Sequence, residues 1–371
     1  MPDMRKIFIV CFTGDSGITH YSISLARELA ASADVTFVTA RIYHDQDYPP
    51  ENFHVVPMFR RSRWYPLDVV KLFWLIATQR PATVLFQSVL KSAGVEAILV
   101  RLIRLLGIQT AMTIHDVLPH YPKPWSRWTH VFLYRSFNRL IVHSERSRRD
   151  LLALGVKRPV LVVPHGVYDI FITRQPQREA ARRRLTPFSD EHFVLLFFGK
   201  IDVRKGIGAF LDLRHALAAE GCRFVVAGRK GLPPEQTELI RRLDEARNAE
   251  DCIVHDYNIP FAEIQDYFAL ADVVVMPYQE GTTSGVLKLA LAFGKPVIAT
   301  DVGDVGETLR AGVGVLLPSG CSAADFVEAV REVRRNLPNY ETACNAARER
   351  FGWKEISSKY ASFLNPARSL V

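Results

Sequence analysis

MPYQEGTTSGVLKLALAFGKPVIATDVGD, residues 276–304, reads as the end of a buried strand, a polar loop of small residues and a helix that starts near Ser284. Gly294 closes that helix and Pro296 opens the next strand, so the stretch is a strand–helix–strand unit and implies a parallel sheet. In such sheets ligands sit beyond the carboxyl ends of the strands. A helix start at that end leaves N–H groups without an intrahelical acceptor, which suits an anion such as a diphosphate.

The same alternation runs outward from this stretch. Around it lie the strand-like runs HFVLLFFG (192–199), CRFVVAG (222–228), DCIVHDY (251–257), ADVVVMPY (271–278), KPVIAT (295–300) and GVGVLLP (312–318). Earlier come KIFIVCF (6–12), DVTFVTA (34–40), HVVPMF (54–59), ATVLFQS (82–88), QTAMTI (109–114), RLIVHS (139–144) and VLVVPH (160–165). Helical patterns at 20–32, 67–79, 92–106, 126–137 and 145–154 separate the earlier runs. The fold class expected is α/β, with two doubly wound domains. A basic stretch with Pro176, Pro187 and the run ARRRL interrupts the pattern. The expected division is therefore 1–172, a linker at 173–191, a second domain at 192–352 and a closing helix within 353–371.

A chain of 371 residues exceeds what one core supports, which agrees with two domains. It holds no uninterrupted run of roughly 18 apolar residues, and the apolar run at 7–12 is too short for a secretory leader. Cys11, Cys222, Cys252, Cys321 and Cys344 are scattered and odd in number, as expected of thiols in a reducing cytoplasm. Charge is uneven: residues 1–185 carry 26 Lys and Arg against 14 Asp and Glu, and the remainder 21 against 25. The basic half interleaves Trp64, Trp74, Trp125 and Trp128 with arginines. That pattern suits an anionic membrane surface, and equally a solvated basic face over an apolar core. No nucleic-acid module accompanies it, so nucleic acid is not an expected partner.

Four loops at expected strand ends carry the polar chemistry. In TGDSGITH (13–20), Gly14 and Gly17 allow close backbone approach before a helix start, without the GxGxxG spacing or a Walker lysine; a plain tight turn reads the same. In IHDVLPHYPKPW (114–125), His115 leaves a buried strand at its carboxyl end, as a proton-transfer group or as a structural histidine. In FFGKIDVRKGI (197–207), Lys200, Arg204 and Lys205 cluster before a helix, suited to phosphate oxygens or to a solvated basic turn. The fourth is the loop at 276–284, with Arg229 and Lys230 bordering it. A cleft between the two sets of strand ends is the default ligand site.

These segments resemble the retaining glycosyltransferases of the GT-B fold, in the nucleotide-sugar-dependent family 4. The resemblance covers nearly the whole chain: the glycine-containing first loop, the His115–Asp116 pair, FGKIDVRKG as an FG-basic-x4-Lys-Gly segment, and the closing FGWKEISSKYASFL. It implies two Rossmann-like domains facing a cleft, with the activated sugar held mainly by the second; the closing helix is expected to return to the first. It further implies Lys200 and Lys205 as the basic pair on the diphosphate, and Ser284, Gly285 and Val286 as backbone donors. His115 matches the position beside the transferred sugar, and Gly14 and Gly17 the loop between donor and acceptor. The reaction implied is transfer from a UDP- or GDP-sugar to a saccharide acceptor with retention; the basic, aromatic first half suggests that the acceptor is lipid-linked, on the cytoplasmic face of a membrane. No cofactor and no metal are expected, because cations and a helix start can stabilise the leaving diphosphate. The only D-x-D, Asp45–Gln46–Asp47, reads as surface loop.

The departures concern the acidic motif. The family carries two glutamates eight positions apart; anchored on Pro277 and Gly294, this chain has Gly281 and Leu289 there, and a shift by one offers Glu280 with Lys288. Glu280 is expected to take the sugar-facing role, with Thr282, Thr283 and Ser284 supplying polar contacts. The residues assigned to the chemistry are then His115, Glu280 and Lys205. A non-catalytic nucleotide-sugar binding protein also fits the missing acidic pair; a sugar-nucleotide epimerase shares the two-lobed architecture but needs acid/base carboxylates in the cleft.

Overall fold

Ile9, Val10, Cys11 and Phe12 are withdrawn from solvent because the first strand, β1 (Lys6–Val10), lies inside an all-parallel seven-stranded sheet. The computed structural model describes residues 5–43, 48, 52–60, 62–89, 91–119, 123–175, 177–281 and 284–365. The chain divides into two units, Met1–Gly166 with Phe351–Val371, and Val167–Arg350.

In the first unit β1 is followed by α1 (Gly17–Leu29), β2 (Asp34–Ala40), β3 (His54–Phe59), α2 (Tyr65–Gln79), β4 (Thr83–Phe86) and α3 (Ala93–Leu105). Then come β5 (Gln109–Ile114), α4 (Ser126–Ser136), β6 (Arg139–Val142), α5 (Glu145–Ala153) and β7 (Val160–Val162). The spatial order is β3-β2-β1-β4-β5-β6-β7, so the chain reverses direction across the sheet between β1 and β4. Pro57 is tolerated in β3 because that strand is an edge, where a missing N–H costs little. Serines cap the helices that follow strands: Ser16, Ser92 and Ser144 accept the N–H groups of Thr19, Val95 and Ser147 and so set where α1, α3 and α5 begin.

The second unit runs α6 (Arg178–Leu185), β8 (Phe193–Phe198), α7 (Ile207–Leu217), β9 (Cys222–Ala227), α8 (Thr237–Arg247), β10 (Cys252–His255) and α9 (Phe261–Leu270). It continues with β11 (Val273–Met276), α10 (Gly285–Ala292), β12 (Val297–Thr300), α11 (Val305–Leu309), β13 (Gly314–Leu317), α12 (Ala323–Arg335) and α13 (Leu337–Arg350). Its parallel sheet has the order β10-β9-β8-β11-β12-β13, reversing between β8 and β11. Ser322 and Asp325 form a capping box that starts α12.

The closing helix α14 (Trp353–Leu364) belongs to the first unit. The Tyr360 hydroxyl lies 2.9 Å from the Tyr21 hydroxyl on α1 and 2.9 Å from Thr113 Oγ1 on β5, all three residues being buried. Trp353 lies over Gly166, where an added Cβ would come within 2.6 Å of the indole.

The stretch 173–191, expected as a linker, instead contains α6, packed against α9 in the second unit. Within its basic run Arg182 is fully buried, donating to Asp272 Oδ2 at 2.8 Å and to the Leu270 carbonyl at 3.1 Å. Arg178 pairs with the same Asp272, Arg174 and Arg184 pair with Asp266, and Asp272 also accepts the Val194 N–H at 2.7 Å. A buried guanidinium is tolerated only with such partners. They come from about 80–90 positions later in the chain, beyond the reach of a local pattern. The boundaries of the two units fall at Gly166/Val167 and Arg350/Phe351.

Candidate functional site

In the second unit the order reversal between β8 and β11 brings together two loops, 199–206 and 277–281, that are remote in sequence. They are locked to one another. The Gln279 N–H donates to the Arg204 carbonyl at 2.8 Å. Gly206 adopts a left-handed conformation at φ 72°, and a Cβ there would lie 1.8 Å from the Pro277 carbonyl oxygen, so only glycine permits this approach. Lys205 Nζ sits 3.7 Å from the centre of the buried Tyr278 ring.

Asp202 organises the cationic loop. It is buried, accepts the Lys205 N–H at 2.9 Å, and faces Lys200 Nζ at 3.4 Å and Arg204 at 3.7 Å. Burial lowers the Lys205 pKa to about 8; Asp202 opposes the shift and Arg204 adds to it. Lys205 is therefore an ammonium held where its charge is under-solvated, a state that an anion relieves. Arg229 is exposed just after β9, and Lys230 bridges back to Ile201.

Beyond β11, Ser284 caps α10 by accepting the Leu287 N–H at 3.4 Å. The N–H groups of Gly285 and Val286 begin the helix and have no intrahelical acceptor. Glu280 and Gly281 are exposed, whereas Leu289 and Lys288 are buried, with Lys288 Nζ donating to Thr308 Oγ1 at 2.9 Å. Neither residue of α10 that could stand at the second acidic position is presented to the loop. Thr282 and Thr283, assigned as polar contacts, lie outside the described residues, as does Asp45–Asp47.

In the first unit the loop after β1 is tied by hydroxyls: Ser16 Oγ to Thr13 Oγ1 at 2.8 Å, and Thr13 Oγ1 to Thr19 Oγ1 at 3.0 Å. Gly17 is the first residue of α1. Gly14 is required by its own chain, since a Cβ there would lie 2.8 Å from the Tyr43 backbone nitrogen just past β2.

The adjacent strands β5, β6 and β7 each lead into a histidine: His115, His143 and His165. All three rings pack on Tyr21 of α1, with centroids 5.0, 5.1 and 4.8 Å away. The His143 Nδ1 lies 3.2 Å from the Val163 carbonyl oxygen and its Nε2 3.2 Å from His115 Nδ1. A carbonyl can only accept, so His143 carries its proton on Nδ1; with both rings neutral, its Nε2 then accepts from His115 Nδ1–H. The His115 Nε2 is left as a lone pair, buried and, among the described residues, without a hydrogen-bond partner. Burial, then the neighbouring His143, hold the His115 pKa well below the usual histidine value. Such a group accepts a hydrogen bond from a hydroxyl at neutral pH without itself becoming charged.

Asp202, Tyr278, His143 and His165 were not singled out from sequence. The available signals were Asp202 three positions before Lys205, the spacing of a side-chain cap, and the repeated pattern of histidine after a strand in TIH, IVH and VVPH. Among the described residues, no group of His, Cys, Asp and Glu side chains is placed to hold a metal ion.

Residues 16–166 match the family described as a glycosyl transferase 4-like domain, and residues 192–336 match the glycosyl transferases group 1 family. The chain belongs to the group 1 glycosyltransferases. This group 1 chain is 30% identical over 230 residues to D-inositol 3-phosphate glycosyltransferase 1 of Catenulispora acidiphila, covering 59% of this chain and 54% of that protein. It is 28% identical over 247 residues to D-inositol 3-phosphate glycosyltransferase of Thermobispora bispora, covering 63% and 57%. The chain thus spans about half the length of the curated relatives it matches. Among solved structures it resembles Anabaena HepE in complex with UDP and glucose, with a TM-score of 0.76 at 17% identity over 99% of this chain and 100% of that one. It also resembles sucrose-phosphate synthase from Thermosynechococcus elongatus, with a TM-score of 0.73 at 18% identity, covering 99% and 100%. At such identities these two establish the fold of a group 1 glycosyltransferase, the GT-B architecture of two Rossmann-like domains.

Proposed function

We propose that the protein transfers a sugar from a nucleoside diphosphate sugar to a saccharide acceptor, with retention and without a metal. The observation that carries this reading is the under-solvated Lys205 ammonium, fixed by Asp202 and Tyr278 beside the loop that leads to the open start of α10. Breaking the bond from the anomeric carbon to the diphosphate leaves negative charge on phosphate oxygens. Lys205, with Lys200, Arg204 and Arg229, and the N–H groups of Ser284, Gly285 and Val286 are the groups that would stabilise it. His115 supplies a neutral acceptor for a sugar hydroxyl, and the loop carrying Gly14 and Gly17 borders the acceptor. Glu280 faces the sugar, with Thr282 and Thr283 adjoining. A UDP donor is favoured because HepE, similar in fold, was solved with UDP and with UDP-glucose.

The acceptor is lipid-linked and the enzyme peripheral on the cytoplasmic face of an anionic membrane, in polysaccharide or glycolipid assembly. Supporting this, Trp64, Trp74, Trp125 and Trp128 are 40%, 63%, 51% and 65% exposed. No helix among the described residues is long and apolar enough to cross a membrane.

A thermal-shift panel of UDP, GDP and their sugars tests the donor, since a ligand that binds the folded state stabilises it by mass action. Stabilisation by UDP or a UDP-sugar that is abolished in Lys205→Met is the expected result. No shift with any nucleotide, or an unchanged shift in the variant, would count against the assignment. Incubating the donor without acceptor and finding an epimer would point to an epimerase; binding without turnover would point to a non-catalytic binding protein.

A further inference from the structure

At the amino ends of β5, β6 and β7, the opposite edge of the first sheet from His115, lies a cavity of about 800 Å³ lined by Arg101, Arg104, Arg135 and Arg158 with Leu105 and Gln109. No carboxylate lines it, and none of the four arginines forms an ion pair among the described residues. Neutral groups hold them instead. Arg101 Nε donates to Ser136 Oγ at 3.1 Å and Arg104 to the Ser136 carbonyl at 2.9 Å. Arg135 donates to the Gly155 carbonyl at 2.9 Å, and Arg158 makes two bonds to the Arg135 carbonyl.

Those carbonyls belong to the C-terminal end of α4 and to the turn after α5, so the arginines also complete helix ends. Helix capping does not require so many cations in one cavity, and each guanidinium keeps most of its N–H donors for another acceptor. Their crowding is unfavourable in the empty protein: burial, then Arg158 and Arg101, lower the Arg104 pKa. An oxyanion bound among them removes that repulsion and matches guanidinium geometry in a bidentate manner.

The rim shows what kind of anion fits. Leu105 is 82% exposed, and Val95, Ile98 and Leu102 continue an exposed apolar stripe along α3. The helices on either side add Trp74 on α2 and Trp128 on α4. A cationic cavity that opens onto an apolar stripe complements a molecule with a charged head and an apolar body.

We propose that this cavity binds the phosphate group of an anionic membrane lipid, with the α3 stripe facing the acyl region. The site is separate from the one assigned to sugar transfer; it rests on the membrane-associated part of the reading above and not on catalysis.

The test is sedimentation of the full chain with phosphatidylcholine vesicles, with and without phosphatidylglycerol, beside a thermal-shift arm with inorganic pyrophosphate. Three double variants accompany the wild type: Arg101→Gln with Arg104→Gln, Arg135→Gln with Arg158→Gln, and Trp74→Ser with Trp128→Ser. The wild type is expected to sediment with phosphatidylglycerol vesicles at low salt, and each arginine pair to weaken that about tenfold or more with unchanged melting temperature. Both pairs hold the α4 end through carbonyl or hydroxyl groups, so each is read against its own melting temperature, and the pair that melts like the wild type decides the test. Arginine variants that bind like wild type while the tryptophan variant is released would overturn the cavity assignment and leave membrane association standing. A wild type indifferent to phosphatidylglycerol would overturn both. Pyrophosphate stabilisation without vesicle binding would reassign the cavity to a soluble phosphate and overturn the lipid proposal.

Discussion

His115 Nδ1 stands 3.2 Å from His143 Nε2, and His143 is in turn anchored through Nδ1 to the Val163 carbonyl. The anchor decides which nitrogen of His115 keeps its lone pair. His143→Phe removes the acceptor for His115 Nδ1–H and releases that choice, so kcat is expected to fall about tenfold while the donor KM holds. His143→Asn, which retains an amide acceptor, is expected to recover part of the loss. Equal losses in both variants would mean that the ring only fills space.

Lys205 is expected to set the alkaline side of the pH profile. Its folded-state pKa of about 8 lies below the unfolded value, so the unfolded chain binds more protons between the two, and stability of the ligand-free protein rises with pH across that window. With the ammonium assigned to donor binding as proposed, kcat/KM is expected to fall as pH rises through about 8. On the acid side no limb from His115 is expected near its usual value, because burial keeps the ring neutral there. Lys205→Met should cost about 10²-fold in kcat/KM without lowering the melting temperature. A pH series of initial rates, with melting curves in the same buffers, measures both.

Asp202 favours the charged form of Lys205 while holding its backbone. Asp202→Asn keeps an acceptor for the Lys205 N–H but removes the negative charge, so the alkaline limb is expected to move to lower pH. Nucleotide affinity at pH 7, read by titration calorimetry, should change by less than in Asp202→Ala, which frees the loop.

Gly206→Ala places a methyl 1.8 Å from the Pro277 carbonyl oxygen at a positive φ of 72°. Loss of about 2–4 kcal/mol is expected in denaturant unfolding, because backbone on both sides must move. Nucleotide binding should weaken with it, since the contact that strains is the one joining the two loops.

Tyr360→Phe removes a buried hydroxyl that joins Tyr21 and Thr113. A loss of about 1–3 kcal/mol is expected, seen as a lower denaturation midpoint with unchanged slope. Such a result would show how firmly α14 is fixed to the first unit.

Strand and helix positions were legible because they depend on local periodicity: the alternation from KIFIVCF to GVGVLLP, the Ser284 cap and the Gly294 stop are written in adjacent residues. So were the candidate anion loops, since basic residues before a helix after a strand need no partner to be recognised. Helix α6 was not, because what makes ARRRL an ordered, buried element is Asp272 and Asp266, far along the chain. Nor was the histidine relay, whose members stand 28 and 20 residues from their partners and meet only when β5, β6 and β7 pair. By itself the sequence determined a parallel α/β architecture and the place of a basic loop between a strand and a helix, both consequences of short-range pattern. Which nitrogen of His115 is free, why Lys205 loses its proton early and where four arginines gather were decided by tertiary structure, because burial and through-space charge depend on residues that only the fold makes neighbours.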